Sequence, residues 1–600
     1  MYLSPEERAI GSENFCAAVG KVRRDLLKKA IKGDVRSGKG LGPLYFHYDA
    51  AISEPVRVGL IGAGDEGNVL LGAINPKFIA VKSIADVRPY SVWRAFHGDC
   101  YGDDKTRPGL MSVYGWKTES EARKPENVKV YGDYRDLIAH AKEDKIEAVV
   151  IALPLHLHAP AAIAAMKAGL HVITETLMAQ SVRECKEMAR VAKLAKDSKG
   201  DGLLLAVGHQ RHYNILYDDA VALIGKGLLG ELHSIRAQWH RGDLPGSDTW
   251  QPPMPKKAKP DDLQANKLDD DRRKWLAALE KLNAEKVKAA GNPEKLADLV
   301  KKAAKLDARV QQINAQIADA VDAKKYGYQD VQIKDASGKV VYSGPPIEEL
   351  IRWRLWNRTG GGLMAELGCH QLDAAMMFIH AMHKATNPNA EMPLPLSVAA
   401  GGGRDVFSAD RDVDDHVYCT FEFPSPDYRA GDPIDAAKKI GVQYASINGN
   451  AFGGYGETLF GTEGTLVLDA EKEAMLYKTH ETDLKTVVAA TKSNDKQPGV
   501  MLKLDGKGDP ESAAIGTLGT LPADRGFTEE LEHFAWCIRH RSPENLPRCH
   551  PKVALADAVT SLVAQSAARK GARVDFQKEW FDIDDDATPE GEKPDVKRNG

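Results

Sequence analysis

The 600 residues contain only seven cysteines, widely scattered and without a C-x-x-C pair. That spacing argues against a disulfide framework or a structural zinc site and suits a reducing compartment. No stretch approaches 18 consecutive apolar residues, so no membrane-spanning helix is expected. Charge of one sign is not in excess either. Lys and Arg number 81 against 85 Asp and Glu, a formal net charge of −4, with the two signs interspersed. A general nucleic-acid or anionic-membrane binder displays a basic patch, so neither partner is expected. What is present is 43% hydrophobic and 28% charged, the balance of a globular protein. It is too long for one core, and two or more domains follow.

The N-terminus carries VRRDLLKK at 22–29, which looks like a twin-arginine export signal. Such a signal needs an apolar segment of about 7–15 residues after it. Here Lys28, Lys29, Lys32, Asp34, Arg36 and Lys39 fill that place, and only LGPLYF at 41–46 is apolar. Residues 1–54 therefore read as an arm, a relic of export or a docking segment, on a cytoplasmic protein.

From Val56 short apolar runs alternate with helix-length segments. Strands are predicted at 56–62, 78–86, 128–133, 148–154, 171–175 and 203–209. Strands without clean alternation, interleaved with helices, predict a parallel sheet covered on both faces, here over residues 55–211. The first strand runs into Gly62, Gly64 and Gly67, the spacing G-x-G-x-x-G. Gly62 permits the tight turn, Gly64 lets a pyrophosphate approach the backbone, and Gly67 lets the next helix pack close. Glu66 falls in the same loop and joins the cofactor-binding set. Asp86 ends the second strand, 19 residues after Gly67. A carboxylate there accepts hydrogen bonds from an adenosine ribose and repels a 2′-phosphate, so NAD is expected over NADP. Arg88 stands close enough to hold that phosphate instead.

Three further segments resemble the glucose–fructose oxidoreductase/inositol dehydrogenase/MocA (Gfo/Idh/MocA) family: IALPLHLHAP at 151–160, HVITETLMA at 171–179 and GGGLMAELGCHQLD at 360–373. The resemblance covers roughly 55–250 and 350–570. It implies an α/β protein, a Rossmann domain followed by a domain with an open, mostly antiparallel sheet. It also implies bound NAD, a small carbohydrate substrate and a homo-oligomer, dimer or tetramer. By resemblance Pro154 and His156 lie near the nicotinamide ribose, Glu175 contacts the cofactor ribose, and Gln210 and Arg211 lie near cofactor and substrate.

Glu366, His370 and Asp373 fall at i, i+4 and i+7, one face of a helix. A carboxylate beside an imidazole can raise its pKa and orient its proton, which makes His370 a candidate general acid/base. The resemblance places His370 at the reacting carbon and Glu366, where Asp is more usual, at a substrate hydroxyl. Asp373 orients the histidine or packs structurally. Two ligands make no metal site, and no metal is expected.

One departure matters. Where the family usually has Glu-Lys-Pro, this chain has Glu175, Thr176 and Leu177. A threonine hydroxyl hydrogen-bonds but does not shuttle a proton near neutral pH. Candidates for the missing base are His370 itself and GHQRHYN at 208–214, with His209, His212 and Tyr213. The lysine is also absent from a branch of the family that cleaves glycosides with tightly bound NAD.

Residues 252–345 interrupt the second domain, 212–575. Helices are predicted at about 268–290 and 294–324 around Gly291-Asn292-Pro293, with a 3,4-spaced seam from Leu296 to Ile317. This predicts an antiparallel hairpin, a surface decoration or an arm over the site. IRWRLWNRTGGG at 351–362 leads into the active-site helix, and Arg352, Trp353, Arg354 and Trp356 could stack on or hydrogen-bond a sugar. Segments 425–440 and 485–525 read as long polar loops, and 576–600 as a disordered tail or a clamp. The expected function is an NAD-dependent oxidoreductase acting on a sugar, polyol or glycoside. The alternatives are a redox-neutral glycosidase or lyase working through a 3-keto intermediate, and a catalytically silent NAD- or sugar-binding protein.

Overall fold

The structure is a computed structural model and describes residues 3–32, 42–101, 105–246, 248–255, 258–259, 262–478, 487–490, 500–503 and 525–596. Most of the loop expected at 485–525, and part of the N-terminal arm, lie outside the described residues.

Six parallel strands form the first sheet, in the order Lys129–Tyr131, Ile79–Ala85, Val56–Ile61, Ala148–Ile151, His171–Thr174, Leu205–Val207. That is the doubly wound order 3-2-1-4-5-6, which leaves a crevice at the carboxyl ends where the order reverses. Both faces are covered, which is why the central strands lack alternation. Val58, Leu60, Val150 and Ile173 share one core with Leu70 and Leu71 of the helix Asp65–Ala73. Ile61, Val149, Ile151 and Val172 face the other way, onto His158–Lys167 and Val182–Leu194. The late helix Phe527–Arg539 returns to this domain, with Leu531 and Phe534 in the first of these cores.

The second sheet has eight strands, in the order Glu473–Lys478, Gly464–Asp469, Tyr455–Gly461, Leu232–Arg241, Lys439–Asn448, His416–Pro424, Ser397–Gly403, Arg573–Asp575. Only Leu232–Arg241 and Lys439–Asn448 pair in parallel; the other neighbours run antiparallel. Ile235, Ala237 and Trp239 are buried while His233 and Arg236 are exposed, so one face packs and the other is open. The helix Cys369–Thr386 lies on the packed face. At one edge the N-terminal helix Pro5–Lys32 comes so close that a Cβ on Gly11 would sit 2.5 Å from the Tyr477 hydroxyl.

The hairpin is present as the helices Leu263–Lys288 and Pro293–Ile317, with Leu299, Ala303, Val310 and Ile313 buried along its seam. The first helix starts earlier than the periodicity suggests because Asp262 caps it, accepting from the Ala265 amide at 2.8 Å. The second stops before 324, where Asp319 turns back to the first domain. Of the two readings of the C-terminus, 576–596 is a clamp. It crosses Val182–Leu194, where Lys186 Nζ donates to the carbonyl oxygens of Glu579, Asp585 and Ala587 at 2.7, 2.9 and 2.7 Å. Among the described residues no helix is long and apolar enough to cross a membrane.

Candidate active site

The phosphate loop is built from contacts that exclude side chains. Gly62 has φ +89°, and a Cβ there would lie 2.3 Å from the Ala152 carbonyl oxygen. At Gly67 it would lie 2.2 Å from the Gly62 carbonyl oxygen. Gly64 is different: nothing lies within 4 Å of where its Cβ would be. Its backbone faces open space at the N-terminus of Asp65–Ala73, where unpaired amides and the helix dipole favour an anion. The two acidic residues of that first turn are offset. Asp65 is paired with Arg94 at 2.7 Å. Burial pushes Glu66 towards its neutral form, partly opposed by Arg525 and Arg354, and its Oε1 is buried without a partner. Asp86 accepts from the Ala63 and Arg88 amides, both at 2.8 Å, which fixes the loop and leaves lone pairs for a ribose. Glycine turn, open helix end and strand-end carboxylate together fit NAD.

At the other end of the crevice Pro154 opens the 3₁₀ turn Leu155–Leu157. The His156 ring lies 5.6 Å from Tyr328 of the insertion, and burial, then Arg358, push its pKa down to about 4. His158 is buried, its ring nitrogens 2.8 and 2.9 Å from the Leu177 and Leu153 carbonyl oxygens, and ties those two loops together. The Glu175 carboxyl packs against Gly208, and burial, then Glu66 and Glu530, hold its pKa well above the carboxylate range. The Thr176 hydroxyl is 3.1 Å from Cys369 Sγ, next to His370.

The glycine run before the helix that carries His370 lets it press on that turn. Gly361 has φ +78°, and a Cβ there would be 2.9 Å from Leu155 Cδ2. A π-helical turn, Met364–Gly368, then precedes Cys369–Thr386. The wider turn breaks the expected common face. Glu366 swings to Arg354 Nε, with which it pairs, while Asp373 is buried 2.9 Å from His212 Nε2 and 3.6 Å from His209 Nδ1. His209 also lies 3.2 Å from Asp557.

His370 is half-buried, its ring 5.4 Å from Trp239 and 6.4 Å from His209, with Nδ1 buried and unpartnered. Its pKa is not raised by Glu366, whose charge is taken by Arg354. Burial, then Arg211 and His209, hold it well below the ordinary histidine value, so the imidazole is neutral.

Several predicted substrate contacts point inward instead. Arg211, 1% exposed, donates to Glu471 at 2.8 Å, Glu457 at 3.1 Å, Gln371 at 2.9 Å and the His370 carbonyl oxygen at 2.6 Å. Nη2 is buried without a partner, so the whole guanidinium lies beneath the helix, away from a sugar in the cleft. The Tyr213 hydroxyl accepts from the Arg548 amide at 2.9 Å and lies 2.9 Å from His533 Nδ1. Arg352, 3% exposed, donates to Asp262 at 2.6 Å, Glu348 at 2.8 Å and the Pro252 carbonyl at 3.1 Å, fastening the base of the insertion. Gln210 is buried with Oε1 unpartnered. Of the Trp/Arg segment, half-buried Trp353 carries the Arg354 guanidinium 4.1 Å above its ring.

Two residues were not singled out from the sequence. Trp239 and Arg241 lie on the inward side of the strand Leu232–Arg241, the guanidinium 5.4 Å from the indole. Among the described residues Arg241 makes no side-chain hydrogen bond or ion pair; Glu366 and Arg354 are its leading charged influences. Period-two alternation through IRAQWHR would have put both beside Ile235 and Ala237. A shallow depression of about 530 Å³ lies on the open sheet face around Arg236, Tyr418 and Gln443, on the far side of the sheet from His370. No group of three or more His, Cys, Asp or Glu among the described residues is placed to hold a metal ion.

Residues 56–199 match the oxidoreductase family, NAD-binding Rossmann fold, of Gfo/Idh/MocA, and NAD is the cofactor of this domain. An uncharacterized oxidoreductase of Schizosaccharomyces pombe is 32% identical over 154 residues, 24% of this chain and 39% of its own. A glycosyl hydrolase family 109 protein of Shewanella amazonensis is 32% identical over 142 residues, 24% of this chain and 27% of its own. The match thus spans well under half of these relatives. Among solved structures, levoglucosan dehydrogenase in complex with NADH and L-sorbose aligns with a TM-score of 0.45 at 17% identity, covering 87% of this chain and 99% of that one.

Proposed function

Because residues 56–199 belong to the Gfo/Idh/MocA family of NAD-binding oxidoreductases, we propose that this chain oxidises a carbinol carbon of a sugar, polyol or glycoside, with His370 taking the hydroxyl proton. The observation that carries this reading is the half-buried imidazole of His370, its main chain held by Arg211 and its neighbour Cys369 3.1 Å from the Thr176 hydroxyl. Bound NAD would supply the hydride acceptor. The rest falls to the chain's own side chains. The Gly64 backbone and the helix behind it hold the pyrophosphate, and Asp86 the adenosine ribose. With Nδ1 buried, His370 presents Nε2 as its proton acceptor; an imidazole already charged could not serve. The Glu366–Arg354 pair and Arg241 hydrogen-bond the substrate, and Trp239 gives a sugar an apolar floor. A homo-oligomer through the open sheet face belongs to the same reading.

The test is NADH formation with purified protein, NAD and a panel of sugars, polyols and sugar acids. Reduction by wild type, abolished in His370→Ala with cofactor binding intact, is expected; full turnover by that variant removes His370 from the chemistry.

Thr176, in place of a lysine, and the glycosyl hydrolase family 109 relatives favour a second reading, a redox-neutral glycosidase. The sugar would be oxidised at C3, lose its aglycone by elimination, add water and regain the hydride. Cleavage of an aryl glycoside without accumulating NADH, with exchange of the C2 proton into solvent, distinguishes it from the dehydrogenase.

A further inference from the structure

Arg88 stands two residues past the carboxylate that would bind the adenosine ribose, where a guanidinium is suited to a 2′-phosphate. In the folded chain that guanidinium is already engaged. Its Nε donates to Asp319 Oδ2 at 2.8 Å, and Nη2 lies 2.8 Å from the same oxygen. The other oxygen, Oδ1, accepts from the Tyr90 amide at 3.0 Å, at the start of the helix Pro89–His97. The Asp319 side chain is 3% exposed and that of Arg88 18%. Asp319 belongs to the insertion, just past its second helix. The contact is not isolated, because Val87, between Asp86 and Arg88, packs on an apolar cluster that includes Met254, Ala323 and Tyr328 of the insertion. The insertion is therefore seated on the strand end that reads the adenosine ribose.

We propose that Asp319 is a specificity residue: by occupying Arg88 it denies that guanidinium to a 2′-phosphate and sets the site for NAD against NADP. A dianionic phosphate entering there would meet Asp86 and Asp319 at close range, with the Arg88 charge already spent on the latter. Both carboxylates would then oppose the phosphate. NAD, lacking that group, has no need of Arg88. The inference rests on reading the glycine loop as the dinucleotide site.

Binding, not turnover, tests it. NADH and NADPH are titrated by fluorescence into the full-length protein, its Asp319→Asn and Arg88→Ala variants, and the double variant. Asparagine keeps an oxygen for the Tyr90 amide while removing the charge, and near-UV circular dichroism reports whether the fold is kept. Wild type is expected to prefer NADH. Asp319→Asn is expected to tighten NADPH by about tenfold relative to NADH, the scale of one charge-assisted contact, and the double variant to lose that gain. An unchanged ratio in Asp319→Asn, or the same gain without Arg88, overturns the assignment. So does loss of both cofactors from that variant, which would make Asp319 a builder of the site. Wild type that binds both equally defeats the role of Asp319 alone, and wild type that binds neither defeats the dinucleotide reading with it.

Discussion

Arg211 Nη1 donates to the main-chain carbonyl oxygen of His370 across 159 residues of sequence, while the same guanidinium faces Glu457 and Glu471 in the interior. The first turn of the helix Cys369–Thr386 thus rests on a buried charge cluster. Replacing Arg211 by Met leaves Glu457 buried without a cation and Glu471 with Arg525 alone, a loss of about 3–5 kcal/mol. Thermal or urea unfolding should show it, and adding Glu457→Gln and Glu471→Gln should recover part. Arg211→Met as stable as wild type would mean the cluster carries no weight.

The glycines of the phosphate loop should separate by phenotype. Gly67→Ala puts a methyl against a backbone oxygen and should cost about 1–3 kcal/mol of stability. Gly64→Val points into open space, so its melting temperature should stay near wild type while NADH affinity falls at least about tenfold. Equal NADH affinity in Gly64→Val would remove the loop from the cofactor site.

Stability should fall on the alkaline side of neutrality. Burial alone would lower the pKa of His209, but Asp373 and Asp557 flank it and bring it up to about 9. Its folded value is above the unfolded one of about 6.5, so its contribution is complete below that pH and is lost as pH rises through 9. Burial raises Glu530 to about 8, so the native state keeps a proton the unfolded chain has released, and stability again falls towards pH 8. Both slopes have one sign between pH 6.5 and 8, His209 alone carries the fall on to about 9, and Glu530→Gln should flatten the lower part of the decline. Unfolding free energies that rise over this range would contradict it.

Arg241 makes no ion pair among the described residues, so its removal should be felt by ligand more than by fold. Arg241→Ala should raise KM about tenfold for a uronic or aldonic acid and less for the neutral sugar, with the melting temperature little changed. An equal effect on charged and neutral substrates would place Arg241 in packing.

Much of this was legible in the chain because the signals are local. Gly62, Gly64, Gly67 and Asp86 announce a dinucleotide loop through a strand, a turn and a second strand that are contiguous in sequence, and His370 sits in a short segment with a family likeness. Arg211 and Arg352 misled for the opposite reason. Their residue type suits a sugar, but their partners lie far along the chain or across the fold, and periodicity carries no information about those. The π turn at 364–368 moved Glu366 off the face that an ideal 3.6-residue period gives it. Asp319 was invisible as a partner of Arg88, 231 positions away, because nothing in the hairpin's heptads says where its end will dock.

The C-terminal clamp has a consequence for how ligand gets in. After the edge strand Arg573–Asp575 the chain crosses back to the nucleotide domain and wraps an ammonium, Lys186, in three backbone carbonyls. Hinged opening, with the two lobes swinging apart, would have to strip that ammonium of its cage. A ligand that needs the two lobes to part would thus have to wait on the release of those three carbonyls.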